Sequence, residues 1–474
     1  MKTVKITIIL ALINLTINAQ TQLWSMSQLG GAHGEGNIFN INFDGSGYTS
    51  KFDFNNTDGS FGEGSLIWAT NGILYGMANQ GGTYGDGVLF SFDPITNTYT
   101  TFINFNGATN GQYPYGSLLQ ANNGKLYGMT TLGGLNNFGV LFSYDISLNT
   151  FTKLHDFDSI NGYGPNASLI QDSNGKLYGT TGRGGINNFG VIFSYGILSN
   201  TYNNIHNFDS LHGSVPQGSL FQDTSNSKLY GTTKIGGVND DGVIFSIDTN
   251  NNFSVLYNFN GTSGKLPVGN LISNPSSGKL YGLTPSGGLN NDGVLFSFDI
   301  ITNTYSNLLD FNGSANGAKP SGSLFRASNG KLYGMTNIGG INNQGAIFEY
   351  NPMDSTYLKL RDLNSPDGTY PANSNFIELP TNVGIPNIKA SETNITLYPN
   401  PFTTTITLTL QGSYHNPSLF IYNLLGQEAQ HIYIGDKKEV TISREDLSEG
   451  MYFYRLTDST GISVSGKLIV EDLK

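Results

Sequence analysis

One repeated stretch decides the fold, and residues 124–145, GKLYGMTTLGGLNNFGVLFSYD, are a representative copy of it. Every copy contains an LYG-like motif, then a glycine pair, then a glycine that opens an apolar run. The tyrosine of the motif, or a tryptophan in its place, recurs every 51 or 52 residues, at Trp24, Tyr75, Tyr127, Tyr178, Tyr230, Tyr281 and Tyr333. The chain therefore contains one structural unit seven times.

Each unit predicts four short strands, named A to D in chain order. In the third copy they cover 116–120, 126–130, 140–145 and 151–157. Their apolar runs lack strict alternation, which is typical of strands covered on both faces. Sheets stacked face to face provide that cover, so the pattern predicts one four-stranded sheet per repeat.

The two ends of the repeat region complement each other. The first copy begins at Leu23 with strand B, whereas a strand A pattern, 375–378, follows the seventh copy. Pairing of the last strand with the first sheet would close a ring and leave no exposed sheet at either end of the repeat region. The sequence thus predicts an all-β protein with a seven-bladed β-propeller at 23–379, closed by its N- and C-terminal strands.

Composition and the N-terminus predict export. Residues 1–19 are typical of a signal peptide, with Lys2 and Lys5 before a short apolar run. No stretch is long enough for a transmembrane segment, which needs roughly 20 apolar residues. The absence of cysteine excludes disulfide scaffolds and thiol chemistry, and the net charge of −11 argues against nucleic acid as a partner. We expect a monomer.

The C-terminal part differs from the repeats. Residues 380–393 are rich in Pro, Asn and Ser and are predicted to be a linker. Residues 394–474 predict a small immunoglobulin-like β-sandwich, because alternating strands are separated by turn residues. This segment contains YPNP at 398–401, IYNLLGQ at 421–427, GMYFYRL at 450–456 and GKLIV at 466–470.

These motifs resemble two known families. The repeats resemble the GloVer tandem repeats of secreted bacterial proteins and, more loosely, kelch propeller repeats, in which the glycine pair stands closer to the tyrosine. The tail resembles the type A C-terminal sorting domain of the type IX secretion system. This resemblance implies that the secretion machinery of a Bacteroidetes-type cell is a partner. It also implies a secreted or cell-surface protein whose tail is removed; an adhesion module that is retained is the alternative.

Signatures of catalysis are largely missing from the sequence. It has no GxSxG, HExxH or EF-hand motif, and we expect neither a cofactor nor a metal. His155 and His206 share a repeat position that also holds Phe52 and Leu309, and this tolerance predicts an outer-strand surface position. The Asp or Asn of a recurring D/N-F/L-N/D triplet, for example Asp53, predicts Asx-turn hydrogen bonds.

Departures from the repeat mark two candidate sites on the B-to-C and D-to-A loops. The first is an acidic cluster of His33, Glu35, Glu63 and Asp86, which suits sugar hydrolysis or cation binding, with a solvated acidic patch as the alternative. The second is aromatic and suits stacking on sugars, unless the rings are tucked between blades. It comprises Tyr113, Tyr115, Phe138, Tyr163 and Phe189.

The sequence favours a binding or adhesion protein over an enzyme. Its expected ligand is a polysaccharide or a glycan on a cell surface, so carbohydrate binding is the leading hypothesis. Two alternatives remain open at this stage. One is a polysaccharide-active enzyme at the acidic cluster, and the other is a passive component of a surface layer.

Overall fold

The structure is a computed structural model that describes residues 21–223, 225–274, 278–380, 394–411, 416–423, 428–435, 437–444, 447–457 and 463–471. The predicted signal peptide, 1–19, and the predicted linker beyond residue 380 lie outside the described residues. The chain divides into two compact units, 1–381 and 382–474.

Within residues 21–380, the described part of the first unit forms seven four-stranded antiparallel sheets, numbered 1 to 7 along the chain. Sheet 1 contains β1 (Thr21–Met26), β2 (Asn37–Asn42), β3 (Thr49–Asp53) and β28 (Ile377–Pro380); sheet 2 contains β4 (Ile67–Trp68), β5 (Leu74–Ala78), β6 (Val88–Asp93) and β7 (Thr98–Asn104); sheet 3 contains β8 (Leu119–Gln120), β9 (Leu126–Thr130), β10 (Val140–Asp145) and β11 (Thr150–Asp156); sheet 4 contains β12 (Ile170–Gln171), β13 (Leu177–Thr181), β14 (Val191–Gly196) and β15 (Thr201–Asn207).

The remaining three sheets follow the same plan. Sheet 5 contains β16 (Phe221–Asp223), β17 (Lys228–Thr233), β18 (Val243–Ile247) and β19 (Phe253–Asn258); sheet 6 contains β20 (Ile272–Asn274), β21 (Lys279–Thr284), β22 (Val294–Asp299) and β23 (Thr304–Asp310); sheet 7 contains β24 (Phe325–Arg326), β25 (Leu332–Thr336), β26 (Ala346–Asn351) and β27 (Thr356–Asp362). Two one-turn helices, α1 (Gly107–Asn110) and α2 (Gly313–Asn316), and a 3₁₀ turn, Ser365–Asp367, lie in connections. No helix among the described residues is long and apolar enough to cross a membrane.

The prediction of an all-β chain built from repeated four-stranded sheets is confirmed. In the third repeat, strands B and C have the predicted bounds, but strand A is shorter, Leu119–Gln120 instead of 116–120. The physical reason is that the Ser117 N–H donates to the Ser168 side chain of the next sheet, at 2.8 Å, and so leaves its own ladder.

Such hydrogen bonds link the strand A segments of successive sheets. Each joins a backbone N–H to a serine or asparagine side chain of another sheet at 2.6–3.0 Å: Ser65 to Ser117, Ser117 to Ser168, Ser168 to Ser219, Ser219 to Asn270, Asn270 to Ser323, and Asn375 to Ser65. The last of these connects the C-terminal strand A segment to sheet 2. We call this set the inner belt.

The first sheet takes its strands from both ends of the unit. β28 pairs with β1 in antiparallel register, from Thr21 opposite Pro380 to Trp24 opposite Ile377. The hydroxyl of Ser25 donates to the Asn375 carbonyl at 2.9 Å. A buried apolar cluster also joins sheet 1 to sheet 7, so residues far apart in sequence share one core.

The core of the first unit lies between neighbouring sheets, as the doubly covered strands predict. Tyr127 of an LYG motif is 3% exposed and packs with Leu169 and Phe193 of sheet 4. The glycine of the same motif, Gly128, is a close-packing position, because a Cβ there would lie 2.5 Å from the Phe142 ring. The motif therefore provides a ring for the core and a gap for the neighbouring phenylalanine.

The interpretation of the recurring Asp or Asn as local Asx turns is wrong. The side chain instead accepts a hydrogen bond from a backbone N–H of the B-to-C loop, which precedes strands C and D of the same repeat. Asp156 accepts from Leu135 at 2.7 Å, and Asp53, Asn104, Asn207, Asn258, Asp310 and Asp362 bind their own loops in the same way. The triplet thus ties the glycine-pair loop to strand D.

The predicted surface position of His155 and His206 is also wrong. Both rings are half-buried and stack on an aromatic ring of the next sheet, His155 on Tyr202 at 4.1 Å and His206 on Phe253 at 4.0 Å. Burial lowers the pKa of both histidines, to about 4 for His206. Phe52 occupies the same position in sheet 1 and stacks on Tyr99 at 4.0 Å. The position is an inter-sheet stacking site that any planar ring can fill.

We expect the variant with both His155→Phe and His206→Phe to lose part of the acid sensitivity of folding. A histidine whose pKa is lowered by folding stabilises the native state above its unfolded pKa of about 6.5, and this contribution is lost as the pH falls towards the folded value. After allowance for solvent screening it is worth about 1 kcal/mol for His206. Melting temperatures from pH 7 to pH 5 measure it. The exposed His33→Gln variant is the control, and parallel curves for the double variant and wild type would contradict the prediction.

The second unit is built from two sheets around one core. One sheet has the order β29 (Asn394–Tyr398), β30 (Thr405–Gln411) and β33 (Glu439–Ser443); the other has the order β32 (Glu428–Tyr433), β31 (Ser418–Tyr422), β34 (Gly450–Thr457) and β35 (Ser463–Val470). Leu408 of the first sheet and Leu419 and Leu456 of the second are fully buried in the same cluster. This arrangement is the two-layer packing expected for a β-sandwich.

Candidate functional site

The B-to-C and D-to-A loops meet at one end of the sheets, which we call the loop face. At the junction, one residue of each D-to-A loop has φ between 50° and 63°: Phe61, Tyr113, Gly164, Val215, Leu266, Lys319 and Tyr370. Six of the seven are not glycine, so this left-handed backbone is strained. The recurrence of one strained conformation at every loop indicates that specific contacts hold it.

Those contacts are backbone hydrogen bonds between loops. The N–H of each left-handed residue donates to a B-to-C loop carbonyl at 2.7–3.2 Å, and the acceptors are Glu35, Asp86, Phe138, Phe189, Asp241, Asp292 and Gln344. The predicted site residues Glu35, Asp86, Phe138 and Phe189 therefore share a main-chain role. Since the main chain carries the contact, the side chain at this position is free to vary.

A position that surrounds a central cavity lies two residues after each of the first six left-handed residues and three residues after Tyr370, where the loop is one residue longer. The seven residues at this position, here called the channel set, are Glu63, Tyr115, Asn166, Gln217, Val268, Ser321 and Asn373. Six of them, all except Glu63, line a cavity of about 30 Å³ together with every inner-belt residue except Asn375. A cavity of this size holds one or two water molecules but not a sugar ring. A larger ligand would have to bind across the cavity's mouth.

Glu63 is the charged member of the channel set and is only 7% exposed. Its Oε1 accepts a hydrogen bond from the Gln28 side chain at 2.6 Å. Burial raises the pKa of the Glu63 carboxyl to about 7, although Gln28 and the nearby Tyr115 hydroxyl favour the ionised form. The Tyr115 hydroxyl accepts a hydrogen bond from the Asn373 side chain at 2.7 Å. Four side chains from distant parts of the chain thus form one polar group.

The predicted acidic residues occupy different environments. His33 is exposed, Glu35 is half-buried and Glu63 is buried. The carboxylate of Asp86 accepts a hydrogen bond from the Gly107 N–H at 2.9 Å, at the start of α1, and so supports a connection. Among the described residues, no three His, Asp or Glu side chains are grouped to hold a metal ion.

The predicted aromatic residues are only partly gathered. Phe138 and Tyr163 are in contact, with ring centroids 4.5 Å apart. Phe189 packs against the core between sheets 4 and 5, and Tyr115 belongs to the channel set. Tyr113 is half-buried in the left-handed position. The structure therefore brings together one pair of the five and directs Tyr115 to the cavity.

Sequence reasoning missed Gln28, which donates to Glu63, and Asn373, which donates to Tyr115. A signal was available, since the residue before each G-S-L-like strand A pattern differs in nearly every repeat. It is therefore a position at which the seven nearly identical units differ from one another.

Comparison with protein families identifies both parts of the chain. Residues 12–121, 105–274 and 221–384 match the Gloeobacter/Verrucomicrobia repeat, and together these matches cover more than half of the chain. The chain belongs to the Gloeobacter/Verrucomicrobia repeat family. Residues 396–471 of this repeat protein match the secretion system C-terminal sorting domain. The predicted resemblances are confirmed, and the sorting domain implies export to the cell surface or extracellular space through the type IX secretion machinery.

Several solved structures are similar to the repeat protein at low sequence identity. The periplasmic gluconolactonase PpgL of Pseudomonas aeruginosa is 14% identical, and the match covers 75% of this chain and 99% of that one, with a TM-score of 0.51. A putative 6-phosphogluconolactonase from Bacteroides fragilis is 14% identical, with 77% and 99% covered and a TM-score of 0.51. TolB from Acinetobacter baumannii is 13% identical, with a TM-score of 0.40, and the match covers 61% of this chain and 63% of TolB. Comparison with the curated proteins gives no match.

Proposed function

We propose that this repeat protein is an exported binding protein whose loop face recognises a polysaccharide or a cell-surface glycan. The observation that carries the proposal is the channel set, which places a different side chain at the same position of nearly every sheet. Tyrosine, amide and hydroxyl groups of this kind form hydrogen bonds with sugar hydroxyls and pack against sugar rings.

We further infer that the seven sheets are the blades of a closed propeller. The pairing of β28 with β1 and the hydrogen bond from Asn375 to Ser65 both support closure. In a closed ring the channel set encircles one axis, so its members face a single ligand. An open stack would spread the same groups along a line and would favour a different, extended contact.

The loop geometry supports binding with little rearrangement. Each left-handed residue is held by a backbone hydrogen bond to the neighbouring loop, at 2.7–3.2 Å. Loops fixed in this way lose little conformational entropy when a ligand binds, which favours affinity. The small cavity places the ligand at the mouth, where a chain end or a short segment of a polysaccharide can lie across the channel set.

The test is binding of purified protein to a polysaccharide panel and a glycan array. We expect the variant with both Asn166→Ala and Gln217→Ala to bind at least about tenfold more weakly than wild type, because each lost hydrogen bond is worth about 1 kcal/mol. Asn250→Ala, at an exposed turn between β18 and β19, is the matched control and should bind like wild type. Equal binding by the double variant, or no binding of wild type to any glycan, would refute the proposed function.

A further inference from the structure

The serine hydroxyls of the inner belt have an unused hydrogen-bonding capacity. Each serine oxygen accepts a backbone N–H of another sheet at 2.8–3.0 Å, but none of these hydroxyls donates to another group among the described residues. A hydroxyl has one donor besides its acceptor lone pairs, so each keeps an O–H without a partner. The five serines are Ser65, Ser117, Ser168, Ser219 and Ser323.

Two further residues add donors to the same wall. The amide oxygen of Asn270 accepts the Ser219 N–H at 2.6 Å, which orients the amide and leaves its NH2 group as a donor. The Oγ of Ser321 is buried without a hydrogen-bond partner among the described residues. These two residues and the five serines all line the central cavity, and no described residue that lines it is acidic or basic. Ser219 and Ser323 are only 5% and 7% exposed, so bulk water does not satisfy their O–H groups.

We propose that the central cavity binds a small inorganic anion of halide size. An anion accepts several hydrogen bonds and donates none, so a single ion satisfies several of these donors together. A cavity of about 30 Å³ has room for an ion about as large as a water molecule. A water molecule must also donate, and a metal cation would turn the O–H groups away from itself, towards acceptors that the wall lacks.

The site goes beyond glycan binding, because its donors come from the strand A segments of sheets 2 to 7. An ion held there contacts several sheets at once, although they are far apart in the chain. A ligand that binds only the folded state stabilises that state. We therefore expect the anion to stabilise the first unit whether or not a glycan is present.

The first experiment measures the melting temperature of the full chain at pH 6 in sodium bromide and in sodium isethionate, whose anion is too large for the cavity. Burial raises the pKa of the Glu63 carboxyl to about 7, so this neighbour of the lining residue Gly64 is largely uncharged at pH 6. At equal ionic strength, the gain in bromide should be about 3 °C larger for wild type than for a variant without the site.

Asn270→Asp is the variant that removes the site. Its carboxylate keeps an acceptor for the Ser219 N–H but replaces the NH2 donor of the wall by a negatively charged oxygen. Asn258→Asp is the matched control, because Asn258 accepts the Val238 N–H at 2.9 Å and does not line the cavity. The control should keep the bromide gain. An equal gain in wild type and Asn270→Asp would overturn the inference.

Ser321→Ala provides a second test if Asn270→Asp fails to fold. It removes a donor whose oxygen has no partner, so no hydrogen bond within the described residues is lost. Thr180→Val is its control, because the Thr180 Oγ1 is also buried without a partner but does not line the cavity. The bromide gain should be smaller in Ser321→Ala than in Thr180→Val, and equal gains would contradict the proposal.

Anomalous diffraction from crystals grown in sodium bromide locates the ion directly. We expect one bromide in the cavity of wild type and none in Asn270→Asp. A cavity that holds only water, or a cation, would overturn the inference. Either result leaves the proposed function standing, since glycan binding is tested separately on the polysaccharide panel and the glycan array.

Discussion

Deletion of residues 375–379 from the full chain is expected to lower the melting temperature of the first unit by about 10 °C or more. The deleted segment contains Phe376 and Leu379, which are 2% and 3% exposed and pack in two different inter-sheet clusters. Truncation of a large buried side chain costs about 3 kcal/mol, and the ladder with β1 and the contact with Ser65 are lost as well. Each kcal/mol corresponds to about 2 °C in a domain of this size.

The control deletes five residues of the predicted linker, 382–386, and should melt like wild type. Circular dichroism and calorimetry measure both. The deletion also tests closure of the ring, because an open stack would lose only a terminal strand and would unfold from that end. A change in melting temperature no larger than that of the control would contradict the assignment of a closed propeller.

Gly179→Ala in β13 is expected to destabilise the first unit by about 2 kcal/mol. A Cβ at this position would lie 2.6 Å from Cζ of Phe193 and 3.0 Å from a methyl group of Leu169, both of them in buried positions. Neither group can move without disturbing the core between sheets 3 and 4. The same geometry occurs at Gly76, Gly128, Gly231, Gly282 and Gly334, so equivalent substitutions should have similar effects.

Gly182→Ala is the control for this substitution, three residues further along the same repeat. A Cβ there would meet the Gly164 carbonyl oxygen at 3.4 Å and Val215 at 3.8 Å, which are ordinary contacts. Its φ is not in the left-handed range. We expect no loss of stability, or a small gain from the less flexible unfolded chain. Chemical denaturation measures both variants, and equal midpoints for Gly179→Ala and Gly182→Ala would contradict the packing argument.

The repeat made much of the fold predictable. Because one pattern occurs in seven copies, variation within a single copy does not obscure where the strands lie. Strands B and C of the third repeat begin and end where predicted. The bounds of strand A were less predictable because its first residues bind the next sheet. A hydrogen bond between sheets, such as that from Ser117 to Ser168, has no signature in the periodicity of a single strand.

The sequence predicts on which loops the candidate site lies, but not how deeply each of its carboxylates is buried. Alignment of the repeats shows that Glu35 and Asp86 share a slot and that Glu63 lies on an adjacent loop, but not which carboxylate is buried. Burial depends on where the left-handed residue turns the chain, and Phe61 is an unexpected residue for that conformation. The sequence hides the histidine stack for a related reason: tolerance of many residue types predicts exposure, although planar rings recur at that position.

The backbone bonds that hold the loop face have a consequence for how such a protein can change. Because N–H and carbonyl groups make these contacts, a side-chain substitution in the channel set removes none of these backbone hydrogen bonds. The seven positions can then be exchanged one at a time, in evolution or in a designed library, without redesign of the scaffold. One set of sheets could in this way carry many specificities, each determined by the seven side chains of the channel set.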